Sequence, residues 1–266
     1  MAEKMQFLQS DCWRNVDDAS DPGSFVRFLN LVEVTIREAR AEIIRLLEVS
    51  PGCSVLDVGS GAGDFLIELT ASVEGVRAVG VDASQTMVTT AISRALAAGV
   101  AVQFSLGDVQ QLHYPDGSFD RVNCSRMLVH VEDAQAAIAE MARVLIPGGR
   151  IAIFEPDFDA MVINTDDPGV AAEVRRRLMG SLRNPNIGRR LPDLLLDNGF
   201  DQPELSRMTL DLDIVNHFDN LSKVGIVTAE EADQWRTWFT AISHSDHIVV
   251  SSGAVRMLAI KPLLRH

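Results

Sequence analysis

The chain has 266 residues and a formal net charge of −13. An acidic protein repels polyanions, so we expect a small-molecule substrate and no nucleic acid partner. Its three cysteines (Cys12, Cys53 and Cys124) lack C-x-x-C spacing, which favours a reducing, cytoplasmic location over a disulfide or zinc framework. Because no apolar run reaches spanning length, we expect no membrane span. The length suits one α/β domain with embellishments or at most two small domains, and we expect a monomer or a homodimer.

The predicted elements begin with a helical cap over residues 1–50, where apolar residues recur every three or four positions. A core over residues 51–155 follows, in which short β-rich runs alternate with amphipathic helices. Strands are expected at 54–58, 76–81, 102–105, 119–124 and 150–154, and helices at 63–73, 84–99 and 133–145. This alternation predicts an α/β fold with a Rossmann-like, doubly wound parallel sheet.

The last third, residues 156–266, departs from that rhythm. It contains one further helix and two further strands, expected at 191–198, 203–215 and 248–260. Segments 156–190 and 217–245 are predicted to be lid insertions, the second of them helical. Because the carboxyl ends of parallel strands share one edge of the sheet, these insertions are expected to cover a ligand bound there.

A glycine-rich turn follows the strand at 54–58, with glycines at positions 59, 61 and 63. Glycine permits a tight turn and a close approach of the backbone to a nucleotide at the start of the next helix. The dinucleotide fingerprint G-x-G-x-x-G requires a third glycine where this chain has Asp64. A nicotinamide-dependent oxidoreductase is therefore kept only as an alternative.

The segment Asp57-x-Gly-x-Gly61 resembles the D-x-G-x-G signature of class I S-adenosylmethionine (SAM)-dependent methyltransferases. Further segments resemble the same family in order along the chain: Gly80-Val-Asp82, Gly107-Asp108, Pro115-Asp-Gly-Ser-Phe-Asp120, Leu128-x-His130 and Leu145-x-Pro-Gly-Gly149. The resemblance implies a seven-stranded sheet with an antiparallel terminal strand and SAM as the methyl donor. It is closest to the small-molecule branch that includes ubiquinone/menaquinone biosynthesis and natural-product methyltransferases, which the segment Asn184–Leu191 also fits.

The same resemblance implies which residues contact the cofactor. Asp57 is expected to organise the glycine turn by accepting its amides or a water, Asp82 to accept the ribose hydroxyls, and Asp108 to accept the adenine amine. Asp82 as a helix-terminal acid, Asp108 as a turn residue and Met87 as a core residue remain open alternatives. The expected set is Asp57, Gly59, Gly61, Gly63, Asp82, Ala83, Met87, Asp108, Val109, Ser125 and Arg126.

Methyl transfer from a sulfonium is an in-line displacement, so alignment and exclusion of water supply much of the catalysis. His130 is the first candidate for a general base, and Glu155 is the candidate for a carboxylate that orients the acceptor. A supporting role for the histidine and a turn-capping role for the carboxylate are the structural alternatives. No metal is expected, because the pair His244 and His247 is more typical of a surface turn.

The aromatic residues predict an apolar pocket for a ring-shaped acceptor, although packing of the lid on the core is the alternative for the insert. The expected substrate-binding set is Trp13, Phe28, Met127, His130, Phe158, Trp235, Trp238 and Phe239. The expected reaction transfers a methyl group to O, N or C of a small, apolar or aromatic metabolite, quinone-like or a natural product. A SAM-binding enzyme that does not methylate, such as a cyclase, and a non-catalytic binding module are the alternatives.

Overall fold

The computed structural model describes residues 13, 16–19, 21–163, 168–179, 182–213, 222–223, 228–230, 232–233, 236–237 and 249–263. The strands are β1 Ser54–Val58, β2 Arg77–Asp82, β3 Val102–Leu106, β4 Phe119–Ser125, β5 Leu145–Ile163, β6 Asp201–Asp213 and β7 Val249–Ile260. The helices are α1 Gly23–Leu46, α2 Asp64–Ser72, α3 Gln85–Ala98, α4 Ala134–Val144, α5 Pro168–Met179 and α6 Ile187–Asp197, with a short 3-10 helix at Val16–Asp18.

All seven strands join one sheet in the order β3-β2-β1-β4-β5-β7-β6. The five strands from β1 to β5 pair in parallel, whereas β7 lies between β5 and β6 and is antiparallel to both. The predicted doubly wound sheet with an antiparallel terminal strand is therefore confirmed. Strand order reverses at β1, between β2 and β4, and ligands of doubly wound sheets bind at such a switch point.

Each face of the sheet is covered by helices. Apolar side chains of α4 and α6 pack on one face, including Ile138, Met141, Leu191 and Leu195. Apolar side chains of α1 and α2 cover the other face, including Ala39, Ile43, Leu66 and Leu69. Because both faces are buried, the central strands carry continuous apolar runs, as parallel strands usually do.

The structure corrects the predicted end of the fifth strand and the start of the first lid insertion. The sequence predicts a strand that ends at residue 154, with the insertion beginning at 156, but β5 continues to Ile163. The added residues form a strand because they pair with β7, where Asp157 lies opposite Gly253 and Val162 opposite Ser251. Within the predicted insertion, α5 occupies Pro168–Met179, and α6 begins at Ile187 rather than at 191.

No helix in the described ranges has the length and apolar character that crossing a bilayer requires. Most of the predicted helical insert at 217–245 lies outside the described residues.

Candidate functional site

The glycine turn lies at the carboxyl end of β1, where three glycines have positive φ values of 69°, 52° and 87°, at positions 59, 61 and 63. The Gly59 amide donates to the Val81 carbonyl at 2.8 Å, which ties the turn to the end of β2. A Cβ atom added to Gly59 would lie 2.5 Å from Cγ of Met127. The turn therefore requires glycine there, both for its backbone conformation and for the close approach of Met127.

Asp82 is the carboxylate that holds the glycine turn. Its Oδ2 accepts the Gly61 amide at 2.8 Å, and its Oδ1 accepts the Ser84 amide at 2.9 Å. Burial, above all, raises the pKa of Asp82. Each carboxylate oxygen has a further lone pair, so the group can still accept two hydroxyl donors from a ligand.

Asp57 has a different partner from the one expected. The sequence analysis expects it to organise the glycine turn, but its Oδ1 accepts the side-chain amide of Asn123, the residue opposite it on β4, at 2.7 Å. Burial is the largest cause that raises the pKa of Asp57 to about 7, and the negative charge of Asp82 raises it further. Asn123 is absent from the predicted site, although a side-chain amide between the apolar residues Val122 and Cys124 is a signal visible in the sequence.

The N-terminal segment covers this edge of the sheet. The Asp17 carboxylate accepts the amides of Gln85 and Thr86, at 2.6 and 3.0 Å, and so caps α3 from outside that helix. Met87, an expected adenine contact, is buried with Val16 and Phe25. The known contacts of Met87 are therefore with the cap, and its contact with a cofactor stays a prediction.

The expected adenine contacts lie just after β3. Asp108 is exposed, and its Oδ1 accepts the Gln110 amide at 2.9 Å in a local turn, which is the structural alternative that the sequence left open. Val109 is buried, and Ala83 is exposed after the end of β2. The local turn leaves lone pairs of the Asp108 carboxylate available to a ligand. The contacts of Asp108, Val109 and Ala83 with a cofactor stay predictions.

We call residues 125–131 the β4 loop. It begins at Ser125, the last residue of β4, and turns sharply at Arg126, whose φ of 56° is uncommon for a residue other than glycine. The Arg126 amide donates to the Phe154 carbonyl at 2.7 Å. Through Met127, which lies against Gly59, the loop meets the glycine turn. The ends of β1, β2 and β4 thus form one edge.

Glu155 is not at a strand end, as the sequence analysis expects, but inside β5, with 0% of its surface exposed. Its Oε1 accepts the amides of Met127 and Leu128 at 2.9 and 2.7 Å. Burial, above all, raises the pKa of Glu155 to about 8. The carboxyl group holds the β4 loop, a role different from the predicted capping of the following turn. Its contact with an acceptor stays a prediction.

His130 lies in the β4 loop and packs against the cap. Its ring centroid is 5.7 Å from that of Trp13, whose ring also contacts Phe25 at 4.9 Å and Phe28 at 5.5 Å. Burial, with the charge of Arg126 as a smaller cause, lowers the pKa of His130 to about 4. The imidazole is therefore neutral at physiological pH, and its buried Nδ1 has no hydrogen-bond partner among the described residues.

The structure brings several of the expected substrate-binding residues together. Trp13, Phe28 and His130 form one aromatic cluster, while Met127 and Phe158 pack against the main hydrophobic core. The other three expected residues, Trp235, Trp238 and Phe239, lie outside the described residues, as do His244 and His247. Within the described part of the chain, no group of three or more His, Cys, Asp or Glu side chains is arranged to hold a metal ion.

The residues at this edge fit a cationic ligand that also carries hydroxyl and carboxylate groups. Asp57 and Asp82 raise the local negative charge, and their repulsion would be relieved by a sulfonium or an ammonium group. The amino end of α2 follows Gly63 and has no side-chain cap, so its amides are available to a carboxylate. SAM combines all of these groups, and the residues present fit it.

Comparison with known proteins supports this description. A family model described as a methyltransferase domain matches residues 55–149. The demethylmenaquinone methyltransferase of Deinococcus radiodurans is 41% identical over 116 residues, 44% of this chain and 48% of that protein. Methyltransferase GfsG of Streptomyces halstedii is 39% identical over 114 residues, 42% of this chain and 41% of that protein.

Among solved structures, YcgJ from Bacillus subtilis has a TM-score of 0.67 at 23% identity and covers 85% of this chain and 99% of its own. At that identity the likeness concerns the fold. The chain spans less than half the length of the two curated relatives named above.

Proposed function

Because this chain carries a methyltransferase domain of the class I SAM-dependent family, we propose that it transfers a methyl group from SAM to a small molecule. Bound SAM supplies an electrophilic methyl group on a sulfonium. The observation that carries the proposal is the glycine turn held by Asp82 beside the buried Asp57. That combination offers backbone amides, hydroxyl acceptors and negative charge to one ligand.

In this proposal, the residues at the strand ends hold the cofactor. Asp82 accepts the ribose hydroxyls with the lone pairs that its two backbone partners leave available. The glycine turn and the amino end of α2 receive the methionine moiety, and Asp57 supplies negative charge near its cationic groups. Asp108 and Val109 receive the adenine.

For the acceptor, we propose a small apolar or aromatic metabolite, quinone-like or a natural product. Three features of the cap and the β4 loop support this class: the aromatic cluster of Trp13 and Phe28, the adjacent Met127, and the neutral ring of His130. The name of one curated relative, a demethylmenaquinone methyltransferase, indicates a quinone acceptor for that protein and supports this class here.

The direct test combines binding with turnover. Isothermal titration calorimetry should detect binding of SAM and of S-adenosylhomocysteine (SAH), and absence of binding for both at high micromolar concentration would contradict the proposal. A library of quinones, phenols and polyketides should then include an acceptor that makes the protein release SAH. If a library compound is converted without SAH release, the protein is instead a SAM-binding enzyme that does not methylate, such as a cyclase.

The raised pKa of Asp57 predicts that SAM binding depends on pH. With a pKa of about 7, the carboxyl is mostly protonated at pH 6 and mostly ionised at pH 8. A cationic ligand prefers the ionised form, so SAM should bind about tenfold more tightly at pH 8 than at pH 6, with release of a proton at the lower pH. Calorimetry in buffers of different ionisation enthalpy would measure both effects.

Two variants make this pH prediction specific. Asp57→Asn should remove most of the pH dependence, because the amide does not titrate. Asp116→Asn removes an equal charge from an exposed side chain that pairs with Arg143, and it should preserve the dependence. An equal pH slope in the wild type and in Asp57→Asn would show that another group is responsible.

A further inference from the structure

Asn184 makes three hydrogen bonds to the β4 loop. Its side-chain Nδ2 donates to the carbonyls of Leu128 and Val131, at 2.9 and 2.7 Å. Its backbone amide donates to the Val129 carbonyl at 3.1 Å. Both side-chain N–H donors are thus used, and the three accepting carbonyls lie on either side of His130 along the chain.

This contact joins two parts of the chain that are far apart in sequence. Asn184 lies between α5 and α6, and 53 to 56 residues separate it from the carbonyls that its side chain contacts. An ion pair between Arg183 and Glu132, at 3.8 Å, lies next to the same junction. The segment between α5 and α6 is therefore attached to the β4 loop at several adjacent points.

Glu155 supports the same loop, but at its other end. It accepts the amides of Met127 and Leu128, whereas Asn184 donates to carbonyls at positions 128, 129 and 131. The two side chains contact complementary backbone groups, so neither can replace the other. Asn184 contacts carbonyls on both sides of His130, whereas Glu155 contacts amides that precede it.

We propose that Asn184 is a positioning residue that holds His130 in place against Trp13 and couples the segment between α5 and α6 to the candidate methyl-transfer site. The expected effect on catalysis rests on the proposed function. The positioning of His130 by Asn184 does not depend on it. Loss of the two side-chain contacts frees the Leu128 and Val131 carbonyls to bind water, while the backbone contact with Val129 remains. The imidazole can then leave its partly buried position against Trp13. The imidazole ring is then more exposed to solvent, and it is no longer aligned with the proton that it would remove from the acceptor.

The test compares Asn184→Ala and the isosteric Asn184→Asp, which places a carboxylate against two carbonyl oxygens. The matched control is Asn198→Ala, since Asn198 also donates from its side chain to a backbone carbonyl, that of Leu194 at 2.8 Å, away from the β4 loop. Retained SAM binding and an unchanged circular dichroism spectrum establish that each variant is folded. Should Asn184→Asp fail to fold, Asn184→Ser, which keeps one donor, takes its place.

The readout is the titration of His130, followed through its imidazole proton and carbon resonances in the full chain and assigned by their loss in His130→Gln. In the wild type the ring should titrate near pH 4, since it is buried and faces the charge of Arg126. In Asn184→Ala the titration should move toward the ordinary value of about 6.5, and kcat should fall about tenfold or more with little change in SAM affinity. Asn198→Ala should match the wild type.

An unchanged His130 titration in both Asn184 variants would overturn the proposal. This outcome differs from failure of the proposed function, which would appear as absent SAM binding or absent SAH release in the wild type. A shifted titration in a protein that does not methylate would preserve the positioning role and remove only its catalytic consequence.

Discussion

Replacement of His130 by alanine should lower the rate of methyl transfer about a hundredfold or more while it leaves SAM affinity nearly unchanged. The imidazole is neutral above about pH 4, so it is able to accept a proton from the acceptor throughout the physiological range. Its buried Nδ1 has no hydrogen-bond partner among the described residues. The rate would be measured as SAH release with an acceptor found in the library screen.

His130→Gln separates proton transfer from orientation. Glutamine keeps a hydrogen-bonding side chain of similar reach but cannot accept a proton, so the variant should be as slow as His130→Ala if the histidine is a base. Recovery of most of the rate by glutamine would assign His130 an orienting role, and an unaltered rate in His130→Ala would leave it a supporting part of the loop.

The low pKa of His130 also fixes the sign of its effect on the pH profile. A base must be unprotonated, and His130 gains its proton only as the pH falls through about 4. Activity that depends on His130 should therefore stay level from pH 8 to pH 5, once the pH effect of Asp57 on SAM binding has been removed by saturation. A fall in kcat centred near pH 6.5 would show that the imidazole is exposed in the working enzyme.

Gly59→Ala should have the second large effect, a loss of SAM affinity of about tenfold to a hundredfold together with a lower melting temperature. A residue other than glycine at φ 69° costs about 1–2 kcal/mol, and overpacking in a well-packed region adds about 1–3 kcal/mol. The new Cβ would lie 2.5 Å from Cγ of Met127, whose amide is fixed by Glu155. The turn must therefore move, and calorimetry and thermal unfolding would measure the result.

Gly99→Ala is the matched control for this variant. Gly99 ends α3 with a φ of 68°, but an added Cβ would meet no atom within 4 Å. The Gly99→Ala variant has the same kind of backbone strain but no steric clash, and it lies away from the glycine turn. It should therefore lower the melting temperature and preserve SAM affinity. Equal SAM affinity in Gly59→Ala and in the wild type would show that the turn does not contact the cofactor.

The arrangement of the candidate cofactor residues along one edge of the sheet was predictable from sequence because its determinants are local. Each acidic candidate directly follows, or lies within, a β-rich run, and parallel strands bring such positions to the same edge of the sheet. The helix predicted at 84–99 is also confirmed, because Ser84 caps α3 and Gly99 ends it. The residues that cap a helix or form a turn lie next to that element in the chain, so a single sequence is enough to recognise them.

The supports of the site were not predictable because they connect distant parts of the chain. Asp17 lies 68 residues before the Gln85 amide that it accepts, and no local pattern identifies either partner. Asn184 belongs to a segment that resembles the family, but no residue of that segment indicates a contact with the β4 loop. For Glu155, the following Pro156 and Asp157 indicated the end of a strand, whereas pairing with β7 extends β5 beyond them.

The capping of α3 by Asp17 has a consequence for how the protein can be shortened. A fragment that begins at residue 21 would lack both this carboxylate and the Trp13 ring that packs on His130. A fragment cut to the matched domain, residues 55–149, would also lose Glu155 and Asn184. A piece that keeps every one of these supports extends from Trp13 to β7, because β7 pairs with the part of β5 that contains Glu155. The boundaries of the recognisable domain therefore fall short of that piece at both ends.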